Sequence, residues 1–237
     1  MMRFLNPMTL IFLALMLFSS LTSGRFENPQ AWLMSTLLMM PAILIGLSFH
    51  EFAHAYVANK LGDPTPKYQG RVTVNPLAHV DPIGIICLIF LGFGWGLPVQ
   101  INPRYFKNTR RDEFLVAISG VTLNFILAIV FAGMVKLIEV IALGFAMTSM
   151  GEIVIEVLLY VVKINLVLMV FNLLPVPPLD GFNIITQVFN LKQNELYYKI
   201  YDKGMIILLV LILFNITDVL IFPALNFFYN LVMGIFF

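Results

Sequence analysis

The chain reads as an all-α polytopic membrane protein. About five or six transmembrane helices are expected, with a re-entrant, β-containing loop on the cytoplasmic side between the second and third. Two observations lead there. Hydrophobic residues fill 60% of the 237 positions and charged residues only 11%, against about 25% in a soluble domain. Several apolar runs also reach the length of about 20 residues that spans roughly 30 Å of hydrocarbon.

The spans follow in order. Residues 5–24, 28–49 and 114–135 are uncharged, as is 204–217, which is extended by 219–237. A further span, about 153–174, contains Lys163. Run 5–24 follows Arg3 and ends in Ser19, Ser20 and Ser23, but has no clean A-x-A cleavage site, so it is expected to stay as a helix. Run 82–103 is also uncharged, yet Gly84, Gly92, Gly94, Gly96, Pro82, Pro98 and Pro103 favour turns over a continuous helix. The net charge of +1 gives no electrostatic case for a nucleic-acid partner. Cys87 is the single cysteine, so neither an internal disulfide nor a Cys-rich metal site can form.

Basic residues set the topology, because short cytoplasmic loops collect Lys and Arg. Loop 60–81 holds Lys60, Lys67 and Arg71, and loop 98–112 holds Arg104, Lys107, Arg110 and Arg111. Both can be cytoplasmic only if 82–97 enters the membrane and returns. The second span, about 32–59, then runs inward, the third (about 113–139) outward and the fourth (about 153–174) inward. A last apolar region from about 204 forms one helix or a tight helical pair. Irregular backbone at membrane depth must be buried by protein or line water, so region 63–103 is expected to border a cavity. Short runs at 70–75 and 97–102 are candidate strands there.

The pentad His50-Glu51-Phe52-Ala53-His54 lies in the inner half of the second span. Histidines four apart share a helix face and can reach one metal, with Glu51 beside them as general base: the H-E-x-x-H pattern of zinc hydrolases. Ionisable groups in a membrane helix are functional candidates by default. A catalytic zinc takes three protein ligands plus water. The best third ligand is Asp180, in Asn172-Leu173-Leu174-Pro175-Val176-Pro177-Pro178-Leu179-Asp180-Gly181. Three prolines must end the fourth span, leaving a carboxylate and a flexible glycine on unwound chain. Parity supports the match, since the second and fourth spans both run inward and bring His54 and Asp180 to one membrane half. His79 is the next candidate, as a further ligand or proton shuttle, although its Pro-rich loop favours a structural role.

With these motifs the chain resembles the site-2 protease family of intramembrane zinc metalloproteases, peptidase family M50, and looks most like its short prokaryotic members without a PDZ domain. The matching residues are His50–His54 and Asn172–Gly181, joined by Leu61-Gly62-Asp63-Pro64, Gly70-Arg71, Asn75–Pro82, Gly94-Trp95, Asn102-Pro103-Arg104 and Ser119-Gly120…Asn124. The resemblance covers about 45–190. It implies one membrane-embedded metalloprotease domain over 1–237, with a catalytic core at about 32–190 and a re-entrant region at about 63–103. It also implies one Zn2+ per chain held by His50, His54 and Asp180, with Glu51 activating water. Asn172 would hold the substrate backbone, where the residues alone read equally as capping or packing. The 63–103 loop would clamp an unwound substrate strand. Asn124 is expected to pack in the core and hydrogen-bond between helices. The chain departs from the family pattern at Phe182, where a second Gly is common, and at Val121, where Pro is common.

The implied function is endopeptidase cleavage within or near transmembrane segments of membrane-anchored proteins. The expected setting is multi-pass in a prokaryotic cell membrane, with the site towards the cytoplasm. An upstream site-1-type protease, a regulatory membrane partner and a homo-oligomer are left open. The alternative is a catalytically silent scaffold or metal-binding membrane protein, which would not need Glu51. Lys163 either snorkels outward or faces the cavity. Trp32, Trp95 and the Phe-rich C-terminus read as interface anchors.

Overall fold

The structure, a computed structural model of the chain, describes residues 14, 15, 17, 18, 20–22, 24, 26–91 and 94–237. Most of the expected first span, and Gly92 and Phe93, lie outside them. The main helices are α1 (Pro29–Lys60), α2 (Pro82–Leu91), α3 (Thr109–Ile141), α4 (Ser149–Asn172), α5 (Asp180–Phe189), α6 (Glu195–Leu213) and α7 (Ile216–Met233). Among the described residues four are long and apolar enough to cross a membrane: α1, α3, α4 and α7.

Local chemistry sets their ends. Asn28 accepts from Ala31 N–H, and Pro29 opens α1 where its missing N–H costs nothing. Asn108 caps Arg111 N–H, while Asp112 returns the bond to Asn108 N–H. This pair starts α3 at 109, earlier than the apolar run indicates, and carries the helix through a charged turn. Thr148 caps Gly151 N–H to start α4, and Pro175, Pro177 and Pro178 follow its end. Asn194 caps Leu196 N–H, so α6 starts at 195 and not near 204. Its first two turns are polar, and hydropathy alone passes over them. Phe214 and Asn215 separate α6 from α7, so the last region is a helical pair.

Helices α1, α3 and α4 pack pairwise, and α7 lies against α4 and α3. Their shared core joins Val121, Ala128 and Ala132 of α3 to Val162, Leu166, Met169 and Val170 of α4, with Val232 of α7. Ala128 and Ala132 are fully buried. In hydrocarbon, such small residues let helices approach and gain dispersion contact.

Run 80–97 goes out and back. Helix α2 has 10 residues and a length of about 15 Å, half a bilayer core. The backbone then returns so closely that a Cβ on Gly84 would strike the Trp95 carbonyl, and one on Gly94 the Gly84 carbonyl. Val80 and Gly96 form one antiparallel bridge, and Leu97 N–H donates to His79 O at 2.7 Å. Ser20 and Trp32 meet Phe90 near the far end of α2.

The expected strands at 70–75 and 97–102 do not form. Gly70 turns the first at φ 68°, and that bridge is the sole β-pairing among the described residues. In the second, Pro98 has no N–H, while the amides of Val99 and Asn102 donate to the Glu51 and Asp63 carboxylates. Side chains therefore replace a ladder partner.

Ala128→Leu should overpack the α3–α4 seam and cost about 1–3 kcal/mol. Thermal unfolding in detergent checks this; an unchanged midpoint would place the core elsewhere.

Candidate metal centre and active site

One face of α1 carries His50 and His54, both buried, and α5 begins at Asp180 directly opposite. Their facing atoms form a small triangle. The two Nε2 atoms are 3.0 Å apart, and Asp180 Oδ2 lies 3.1 Å from His50 Nε2 and 3.2 Å from His54 Nε2. These three residues are the potential metal-ligand group among the described residues. The expected unwound segment is shorter than the sequence indicates: Asp180 is the first residue of a helix, and Gly181 is held against the Leu173 and Leu174 carbonyls.

The far sides of the rings decide what the triangle can hold. His50 Nδ1 meets Asn124 Oδ1 at 2.5 Å, and His54 Nδ1 meets the Val116 carbonyl at 2.8 Å. Both partners are acceptors, so each Nδ1 carries the hydrogen and each Nε2 presents a lone pair. The Asn124 orientation is fixed in turn, because its Nδ2 donates to Asn165 Oδ1 at 2.8 Å and to Gly46 O at 3.3 Å. Asn165 Nδ2 ends the chain on Val161 O at 2.8 Å.

Two ring lone pairs and a buried Asp180 oxygen with no hydrogen-bond donor thus converge on one point. A cation relieves that repulsion. Bonds of about 2.0–2.2 Å in tetrahedral geometry put donors roughly 3.3 Å apart, close to the triangle observed. The donor set therefore fits zinc.

Two features of the site are not evident from the motifs alone. A Cβ on Gly120 would lie 2.5 Å from His54 Nε2 and 2.6 Å from His50 Cε1, so α3 can pass behind the rings only with glycine there. Asn165 is the other, a polar residue inside an apolar span and hence detectable in principle. No sequence signal marks the Val116 carbonyl. At the departure from the family pattern, Phe182 is buried and stacks on Tyr197, with ring centroids 5.6 Å apart. The larger side chain thereby anchors α6 beside Asp180.

A cavity of about 480 Å3 opens at the triangle, lined by Glu51, Pro98, Val99, Asn172, Tyr197 and Tyr201 among others. Glu51 Oε2 accepts from Val99 N–H at 2.9 Å. Asn172 reaches the cavity while its Nδ2 donates to Leu168 O, one turn back in α4. Glu113, Gln187 and Lys192 tie the start of α3 to the end of α5 at the same cavity, with Lys192 Nζ 2.5 Å from Glu113 Oε2.

His79 is not in the metal-ligand group. It is fully buried with Nε2 on Thr73 O at 2.7 Å, the structural reading. Asp63 is fully buried and joins Thr65 N–H to Asn102 N–H. Lys163 does not line the cavity but points outward over the Tyr229 ring. The Trp95 indole donates to Asp81 within the hairpin, so it closes that loop rather than marking an interface.

Residues 38–214 match the model of peptidase family M50. The chain belongs to that family. YwhC of Bacillus subtilis (strain 168) is 40% identical over 195 residues, covering 80% of this chain and 88% of its own. Rip2 of Mycolicibacterium smegmatis is 27% identical over 216 residues, covering 88% and 76%. Both carry zinc metalloprotease names. No solved structure matches. The protein is accordingly an integral membrane zinc metalloprotease, and the scaffold alternative is not favoured.

Gly120→Ala should displace the imidazoles and lower zinc affinity by more than tenfold. Asn124→Ala, which frees the His50 ring, should cost about 10–100-fold. Competition with a chromogenic chelator measures both, and an unchanged Gly120→Ala affinity would contradict the close passage of α3.

Proposed function

We propose that His50, His54 and Asp180 hold the zinc, that Glu51 is the general base, and that the enzyme cuts membrane-anchored proteins within or near a transmembrane segment. The observation that carries this reading is the three-atom triangle opening, beside Glu51, into a cavity bounded by membrane helices.

Zinc bound there supplies Lewis-acid activation of water and of the scissile carbonyl. The Glu51 carboxylate takes a proton from the attacking water, whose oxygen bonds to the carbonyl carbon. As the C–N bond breaks, Glu51 returns the proton to the leaving amine. Val99 N–H steadies Oε2 and so sets the direction of the carboxylate. Asn124 and the Val116 carbonyl keep both rings turned with Nε2 inward. Asn172 lies where an amide can meet backbone groups of an unwound substrate. Region 63–103 is the re-entrant wall, and its extended 97–102 run faces the substrate. The site opens towards the cytoplasm of a prokaryotic cell, on the side where basic residues gather.

Metal analysis of purified protein tests the ligand set. Wild type should hold one zinc, and His54→Ala and Asp180→Ala should each lose it; full zinc in Asp180→Ala would overturn the assignment. Glu51→Gln should keep zinc and lose about 10²–10⁴-fold in cleavage, the usual worth of a general base. Undiminished cleavage by that variant would remove Glu51 from the mechanism.

A further inference from the structure

A second cavity, of about 320 Å3, lies among α1, α4 and the α2 hairpin. It shares no lining residue with the catalytic cavity, yet each of its three walls continues to that cavity, which α3, α5 and α6 close on its other sides. On α1, Thr36, Ile43 and Leu47 lie on one face, and one turn further along that face comes Glu51. On α4, Ile164 and Leu168 do the same, and one turn beyond Leu168 comes Asn172, whose amide donates to Leu168 O. The third wall runs from Ile85 through Trp95 to Pro98 and Val99, which line the catalytic cavity.

The lining is apolar. Its polar groups among the described residues are the Thr36 hydroxyl and the Trp95 indole, and the indole is bonded to Asp81. Nothing there would hold a lipid headgroup or a charged ligand.

We propose that this cavity seats apolar side chains from the uncut, membrane-embedded part of the substrate while the adjoining segment unwinds across Glu51. The proposal rests on the proteolytic reading above and adds its specificity site: an apolar stretch in the substrate next to the scissile bond, read before the bond is reached. Binding energy gained away from the reacting centre offsets the cost of unwinding and orienting the chain.

Photo-crosslinking separates the pocket from the chemistry. Zinc-loaded Glu51→Gln enzyme goes into vesicles of phosphatidylethanolamine and phosphatidylglycerol. The probe is a single-span Leu-Ala peptide of about 20 residues with a central benzophenone side chain. The expected labels fall on peptides carrying Leu47, Ile85 and Leu168. Val167→Trp or Ile85→Trp, each lining the pocket, should cut the yield by about tenfold, the weight of one buried aliphatic side chain, with zinc content unchanged. Labelling only on outward helix faces overturns the proposal. So does pocket labelling by a photoactivatable phosphatidylcholine and not by the peptide. Peptide labels in the pocket, with no cleavage of membrane substrates by wild type, would uphold the pocket and defeat the proteolytic reading.

Discussion

The structure depends on how a strongly polar point is kept inside an apolar bundle. Hydrocarbon offers no water to a stray N–H or carbonyl, so the outer nitrogens of His50 and His54 take their partners from a neighbouring helix. The line from Val161 O through Asn165 and Asn124 to His50 meets that demand across α4, α3 and α1. It also explains the packing. The helices must lie close enough for short amide side chains to meet, and that distance is set by Gly120, Ala128 and Ala132.

That constraint divides what the sequence could disclose. That His50, His54 and Asp180 come together was legible because metal chemistry dictates such residue types at such spacing, and because the second and fourth spans were expected to run in the same direction. The fold-back of 82–97 was legible because glycines and prolines oppose a continuous span. The strand expectation for 97–102 failed for a local reason, since its amides meet carboxylates that no pattern rule anticipates. Hydropathy misplaced the starts of α3 and α6 because capped, charged turns are helical without being apolar. Gly120 was part of the Ser119-Gly120…Asn124 match, but the reason for a glycine there appears only when α3 is laid against two imidazole rings.

The hairpin ties loop structure to chemistry more closely than its composition indicates. One continuous stretch forms the Gly84–Trp95 fold-back, the Val80–Gly96 bridge, the Val99 contact to Glu51 and the Asn102 contact to Asp63. Two glycines, a fully buried His79 and a fully buried Asp63 hold it at fixed points, so the carboxylate of Glu51 is aimed by a loop whose own shape is determined elsewhere.

The metal triangle has one further consequence. Its corners come from α1 and α5, and α3 props the rings from behind, so the site exists only when elements remote in sequence have docked. A ligand that binds only the assembled state adds to that state's stability by mass action, about 4 kcal/mol when free ligand stands a thousandfold above its dissociation constant. For a small bundle this is a sizeable share of the total. A metal held at the proposed His50, His54 and Asp180 site would thus act as a clasp on the tertiary structure. Cellular zinc supply would govern how long the chain escapes degradation as well as how fast it works.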